Sequence, residues 1–143
     1  MGHFLPNRRP RIDLRPTIPA SRPRSLTAAT RDQLVRIVRT LEEHKAIDIV
    51  ALDLRKVTDT TDVFIIASGS SDTHVRALAE HVADAVKAAG DRPNHVEGIE
   101  VGRWVLLDMV DCVVHVFHPE LREYYQLERL WADAPSISVD SLA

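Results

Sequence analysis

A short polar turn, Gly69-Ser70-Ser71-Asp72, is the first feature of the sequence that could do chemistry. It lies between an apolar run and a helical pattern, so its backbone N–H groups and the positive end of the helix could bind a phosphate. Nucleotidyl transfer would also need carboxylates that converge on a metal from a nearby strand, whereas Asp108 and Asp111 lie across a hairpin turn. We favour a helix cap at Ser71 or Asp72 and keep a nucleotide-binding or phosphate-binding enzyme as the alternative.

Histidines are the second candidate, because imidazole is a common metal ligand. His115 and His118 are close in sequence, and His74 and His81 lie two helical turns apart. Neither pair has a third ligand at a recognisable spacing, and Cys112, the only cysteine, can form neither an internal disulfide nor a thiolate zinc cluster. We interpret the histidines as surface or hydrogen-bonded core residues and Cys112 as a buried structural thiol. The serines have no nucleophile-elbow context, so we predict no metal, no cofactor and no catalysis.

Aromatic side chains in the C-terminal half point to a different activity, because Trp and Tyr are enriched at the energetic centres of protein interfaces. Trp104 follows Arg103 and a glycine turn at the start of a predicted strand, at a sheet margin where a large ring is harder to bury. Trp104 could therefore be an exposed anchor or a core residue. Core positions are favoured for Tyr124, Tyr125 and Trp131.

Apolar periodicity predicts the elements that position these residues. A first helix is expected over residues 30–45, with a capping box at Thr30 and Gln33, and a second from Ser71 or Asp72 to Gly90. A final helix begins at Pro119 and extends to residue 131. Strands are expected at residues 47–54, 63–67 and 94–97, the second of them central and covered on both faces, and a hairpin at residues 104–107 and 112–117.

Charge and composition separate one domain from its ends. We predict a disordered Arg/Pro-rich extension at residues 1–25, a domain at residues 26–132 and a flexible tail at residues 133–143. Of 18 basic and 21 acidic residues, six Arg and one Asp lie in the extension, which leaves a net charge of −8 for residues 26–143. Such a domain repels phosphate backbones, so a basic protein is a more natural partner than nucleic acid. The apolar runs are too short to span a membrane, so we expect a soluble protein.

Six sequence blocks between about residues 45 and 131, in order and in register, resemble the RsfS/Iojap family. No single block is specific, but their combination is. The blocks are residues 48–53 (DIVALD), 61–72 (TDVFIIASGSSD) with the following His74-Val75, 96–98 (VEG), 104–108 (WVLLD), 113–117 (VVHVF) and 122–131 (REYYQLERLW).

The resemblance implies a mixed α/β sheet flanked by helices, similar to the nucleotidyltransferase fold without its catalytic carboxylates. It also implies a cytoplasmic ribosomal silencing factor, which binds ribosomal protein L-fourteen on the large subunit, blocks subunit association sterically and represses translation when nutrients are limited. Trp104 and Val105, with their neighbours Arg103 and Leu106, fall on the segment implicated in that contact, and residues 124–131 are a secondary candidate. A homodimer in solution is compatible with this activity.

Two features depart from the family pattern. The hairpin usually carries a glycine where Val110 stands, which predicts a different turn type or a longer loop. The Arg/Pro extension is unusual for bacterial members, which leaves open an organellar address or an over-extended start codon.

Overall fold

The computed structural model describes residues 26–138; the predicted disordered extension and residues 139–143 of the predicted tail lie outside the described residues. The described part of the chain contains both helices and strands, as the periodicity predicts. The elements are α1 (Ala28–Glu43), β1 (Ile47–Asp53), β2 (Val63–Ser68), α2 (Asp72–Ala88), β3 (His95–Glu97), β4 (Trp104–Asp108), β5 (Cys112–Phe117), α3 (Pro119–Tyr125), α4 (Leu127–Leu130) and β6 (Ser136–Ile137). Among these residues, no helix combines the length and apolar character needed to cross a membrane.

The strands form one mixed sheet in the order β3-β4-β5-β2-β1-β6. β2 and β5 are parallel neighbours, and every other neighbouring pair is antiparallel. All six residues of β2 and all six of β5 are buried, because helices cover both faces of the sheet at its centre. The predicted mixed α/β class, the central second strand and the hairpin of β4 with β5 are confirmed.

Strand alternation divides the apolar residues into two cores. α1 and α2 pack on one face, which we call the α1/α2 face, through Leu34, Val38, Val75 and Val82 against strand residues such as Val105 and Val114. The short helices α3 and α4 lie on the other face, which we call the aromatic face. Its buried residues include Leu52, Leu54, Phe64, Ile66, Leu106, Val113, Phe117, Leu127, Trp131 and Ala134.

The predicted start of the first helix at Thr30 is wrong by two residues. The helix begins at Ala28, and its cap is Thr27, whose backbone is extended (φ −73°, ψ 162°). The Thr27 hydroxyl accepts a hydrogen bond from the Thr30 backbone N–H at 3.1 Å, as an N-cap does. Thr30 is itself buried inside the first turn.

The C-terminal segment differs from the prediction in two further places. The predicted single helix is broken at Gln126, which adopts a left-handed conformation (φ 48°, ψ 53°). The break turns the chain so that Leu127 and Trp131 are buried, whereas α3 buries no residue. Residues 136–137, predicted to lie in a flexible tail, form β6 and pair antiparallel with Ala51 and Leu52 of β1.

The β4–β5 hairpin has a short connection of residues 109–111. Val110 adopts φ +76°, a region that glycine occupies easily and a β-branched residue rarely does. The Asp111 N–H donates to the Met109 carbonyl at 3.0 Å, which closes a three-residue turn around Val110. The valine therefore sits in a conformation suited to glycine within a tight turn, rather than in an extended loop.

Candidate partner-binding surface

The partner-binding candidates centre on Trp104, at the start of β4. In the β4–β5 register Trp104 lies opposite Phe117 and Leu106 lies opposite His115, so these four side chains share the aromatic face. The Trp104 ring stacks on Phe117, with centroids 4.9 Å apart and planes at 27°. The Tyr125 ring of α3 is 5.2 Å from Trp104. Trp104 is only partly buried, so it joins the core to the surface.

His115 contacts Trp104 from the interior of the protein. Its ring is fully buried, and its Nδ1 accepts a hydrogen bond from the Trp104 indole Nε1–H at 3.1 Å. Burial in an apolar environment lowers the pKa of His115 to about 3, so the imidazole is neutral at physiological pH. Because Nδ1 acts as the acceptor, Nε2 carries the single ring proton. That Nε2 has no hydrogen-bond partner among the described residues.

Two tyrosines extend this arrangement to the surface. Tyr124 is 77% exposed and Tyr125 is 40% exposed, and their rings meet edge to face with centroids 5.0 Å apart. We call Trp104, Tyr124 and Tyr125 the aromatic patch. Burial raises the pKa of the Tyr125 hydroxyl, so Tyr125 is uncharged at neutral pH.

The start of α3 fixes the tyrosines relative to β4. Pro119 occupies the first turn of the helix, and His118 caps it, because its Nδ1 accepts from the Glu120 N–H at 3.2 Å. The His118 backbone N–H donates to the Arg103 carbonyl at 2.8 Å, directly before Trp104. The Arg103 guanidinium also lies 3.3 Å from the Glu120 carboxylate. α3 is thereby attached to the residue that precedes the strand.

Arg122 attaches α3 to α4 and to the sheet. Its guanidinium donates to both carboxylate oxygens of Glu128, at 3.2 and 2.9 Å, and to the Ser68 hydroxyl at 2.9 Å. Its side chain is only 13% exposed. Sequence reasoning did not single out Arg122, because a basic residue on a helix usually faces solvent. His115 is a hydrogen-bonded core histidine, which is one of the two placements that the sequence favoured over metal binding, but its hydrogen bond to Trp104 was not predicted.

The predicted partner-binding residues divide into two groups. Arg103, Trp104, Tyr124 and Tyr125 meet at the surface. Val105 is fully buried on the α1/α2 face, and Leu106 and Trp131 are 3% and 2% exposed within the aromatic face. As placed here, these last three support the surface from within and do not reach a partner. The prediction that Tyr124 and Tyr125 are core residues is wrong, whereas Trp131 is a core residue as predicted.

The alternative phosphate site at residues 69–72 has two of its backbone donors, those of Gly69 and Ser70, in internal hydrogen bonds. The Gly69 N–H donates to the Phe117 carbonyl at 3.0 Å, and the Ser70 N–H donates to Nδ1 of His74 at 2.8 Å. The His74 N–H donates to the Ser71 hydroxyl at 3.1 Å, so Ser71 is the helix cap, as predicted. A phosphate would have to displace these hydrogen bonds, and this turn therefore supports helix capping over anion binding.

The carboxylates of the alternative site also have structural partners. Oδ1 of Asp108 accepts from the Val110 N–H at 2.8 Å, and Oδ2 of Asp111 accepts from the Thr30 hydroxyl at 3.3 Å. Burial raises the pKa of the Cys112 thiol, and nearby carboxylates add to the effect. Within residues 26–138, no group of three or more His, Cys, Asp or Glu side chains is arranged to hold a metal ion.

Residues 27–143 match the family model described as "Ribosomal silencing factor during starvation". The chain belongs to this RsfS family. A Bacillus subtilis relative named "Ribosomal silencing factor RsfS" is 42% identical over 99 residues, which cover 69% of this chain and 84% of the relative. The resemblance drawn from the six sequence blocks is thereby confirmed.

Two solved structures of similar proteins have the same fold. A crystal structure of a Bacillus halodurans protein superimposes with a TM-score of 0.68 at 36% identity, covering 76% of this chain and 98% of that one. An X-ray structure of a Chromobacterium violaceum protein gives a TM-score of 0.68 at 40% identity, covering 74% and 87%. The domain therefore has the architecture of these two proteins over most of their length.

Proposed function

We propose that this RsfS-family chain silences ribosomes by binding the large subunit through ribosomal protein L-fourteen, with the aromatic patch at the centre of the contact. Binding is the whole activity: the bound domain occupies space that the small subunit needs, subunit joining is blocked, and translation falls when nutrients are limited. The observation that carries the proposal is the aromatic patch itself, three large rings held together at the surface of a domain whose family model is described as a ribosomal silencing factor.

Exposed aromatic rings support a protein contact more than a solvated surface. A soluble domain gains nothing by presenting Tyr124 at 77% exposure beside Tyr125 and Trp104. Trp and Tyr are enriched among residues that dominate binding energy, because they bury a large area and lose few side-chain rotamers. A contact of ordinary size, roughly 1,200–2,000 Å² in total, could be centred on this patch.

Acidic groups around the patch support a basic partner. Glu120 and Glu123 lie on α3 beside the tyrosines, and the Glu120 side chain is 77% exposed. Lys or Arg side chains of a partner could pair with these carboxylates and stack on the rings. The net charge of −8 over residues 26–143 would attract a basic ribosomal protein at longer range and repel bare RNA.

The contact can be tested by co-sedimentation of purified protein with isolated large subunits. Tyr124→Ala is the cleanest variant, because it removes exposed area at little cost to the fold. Trp104→Ala should weaken binding by about 2 kcal/mol or more, roughly thirtyfold, if Trp104 is a centre of the contact. Circular dichroism would show that both variants fold.

Val110→Ala serves as the matched control. Val110 is also exposed, at 57%, but it lies at the opposite end of the β4–β5 hairpin from Trp104. It should co-sediment as the unmodified protein does, and the same ranking should appear when subunit joining is measured by light scattering. Unchanged binding of both aromatic variants would remove the patch from the contact. Failure of the unmodified protein to bind large subunits would remove the function.

A homodimer in solution would fit the same surface, because an aromatic patch can be covered by a second copy as well as by a ribosomal protein. The two contacts would then compete. Analytical ultracentrifugation of the Tyr124→Ala variant would test this. If the dimer uses the patch, the variant should be monomeric at concentrations at which the unmodified protein is still dimeric.

A further inference from the structure

The imidazole of His115 is an unusual choice for its place in the core. It stands between Val114 and Val116 in the middle of β5, fully buried, where an apolar side chain would cost nothing in desolvation. One ring nitrogen accepts the Trp104 indole N–H at 3.1 Å, and the other has no partner among the described residues. The buried polar ring thus makes one hydrogen bond and leaves its own N–H unsatisfied.

Trp131 shows that a tryptophan can be buried on the aromatic face without such a hydrogen bond. Its indole lies on the same aromatic face, 2% exposed, and its Nε1–H has no partner in the described part of the chain. Trp104, by contrast, is partly exposed, so its N–H could be satisfied by water without help from the protein. The His115 acceptor is therefore paired with Trp104, the tryptophan whose N–H does not need a protein acceptor. The hydrogen bond fixes the direction in which the Trp104 indole points.

We propose that His115 is a positioning residue for docking, which holds the Trp104 indole N–H inward so that the ring meets the partner in one fixed orientation. This inference rests on the proposed function. The Phe117 ring stacked at 4.9 Å and the Tyr125 ring at 5.2 Å complete the support. With its N–H engaged inside the protein, Trp104 offers the partner a π surface, which suits aliphatic and cationic side chains better than hydrogen-bond acceptors.

Fixing the ring before contact removes part of the ordering cost of binding. Loss of the acceptor should therefore weaken binding without removing any atom from the interface. His115→Leu deletes the acceptor and keeps a side chain of similar bulk, whereas His115→Asn places a carbonyl oxygen where Nδ1 stood and so keeps the hydrogen bond. Trp131→Phe is the matched control, because it removes a buried indole N–H that makes no bond in the same cluster.

Two measurements separate positioning from general loosening of the core. The first is the affinity of each variant for isolated large subunits. We expect His115→Leu to bind about three- to tenfold more weakly, with His115→Asn and Trp131→Phe close to the unmodified protein. The second is the solvent exchange of the two indole N–H groups in nitrogen-15 spectra of the free protein, with Trp131→Phe assigning the signals. Exchange at Trp104 should be slow in the unmodified protein and in His115→Asn, and fast in His115→Leu.

Each remaining outcome overturns a defined part of the inference. Equal binding by His115→Leu and the unmodified protein would remove the docking role of His115. Equal weakening by His115→Leu and His115→Asn would show that the acceptor is irrelevant. Fast exchange at Trp104 in the unmodified protein would remove the hydrogen bond, even if the Leu variant failed to fold. If the unmodified protein bound no large subunits while Trp104 exchanged slowly, the proposed function would fail and the intramolecular orientation would stand.

Discussion

Lowering the pH from 7 to 5 should reduce the free energy of unfolding of this domain by about 2 kcal/mol through His115 alone. The reason is that burial lowers the pKa of His115 from 6.5 to about 3, so the folded protein keeps this imidazole neutral throughout that range. The unfolded chain, in which the imidazole meets water, takes up a proton near pH 6.5. Acid therefore favours the unfolded state.

The sign and size follow from proton counting. Below pH 6.5 the unfolded state binds one more proton at this site than the folded state, so stability is fully present above that pH and falls as the pH decreases. Each pH unit in this range costs about 1.36 kcal/mol, and little is lost above pH 7. Between pH 7 and pH 5 the loss is about 2 kcal/mol, and it would continue until the folded-state pKa is reached.

Urea unfolding at pH 7, 6 and 5 measures this effect, with His115→Asn as the comparison. The Asn variant lacks the titrating group, so its unfolding free energy should fall by about 2 kcal/mol less over the same interval. His118→Asn is the control, because Asn can cap α3 as His118 does and leaves His115 in place. Parallel pH profiles for the unmodified protein and His115→Asn would refute the reasoning.

Three further predictions concern backbone conformation and one ion pair. Val110→Gly should raise the free energy of unfolding by about 1 kcal/mol in urea melts, because glycine relieves the strain at φ +76°, whereas alanine at this position should give no gain. Gly98→Ala should lower the melting temperature more than Gly90→Ala: both have positive φ, but an added methyl overlaps the Trp104 carbonyl oxygen at Gly98 and meets nothing at Gly90. Arg122→Met should cost about 2 kcal/mol in chemical unfolding, because it leaves a glutamate of α4 without its two-point hydrogen bond; a cost near zero would show that the link between α3 and α4 is not structural.

Much of the fold could be predicted because its elements have simple apolar patterns. α2 has apolar residues at helical spacing with a serine before it, and β2 is a continuous apolar run, as expected for a strand with both faces covered. The break at Gln126 could not be predicted, since the spacing of apolar residues continues across it and no Gly or Pro marks it. β6 was missed for a related reason, because two residues carry no periodicity and their pairing is set by β1.

The candidate surface was predicted only in part, and strand geometry explains which part. A block of consecutive residues on β4 cannot all face a partner, because successive side chains point to opposite faces. Once Trp104 lies on the aromatic face, Val105 must lie on the other, and Leu106 returns to the first face but further into the sheet. The exposure of Tyr124 and Tyr125 depends on where α3 ends, and that depends on Gln126. These long-range consequences are absent from any local sequence pattern.

The two helical layers cover unequal areas of the sheet, which gives a physical reason for the proposed contact at this place. α1 and α2, of 16 and 17 residues, cover their face of the sheet, while α3 and α4, of 7 and 4 residues, are left to cover the other. Two helices so short can bury Leu127 and Trp131 over the sheet centre, but they leave the start of β4 and the tyrosines open to solvent. The buried centre supplies the stability, and the incompletely covered margin supplies apolar area that only a partner can remove from water. On this reasoning the proposed docking surface is the part of the aromatic core that the chain itself leaves uncovered. Core rings and patch rings accordingly form one continuous set of contacts from Phe117 to Tyr124.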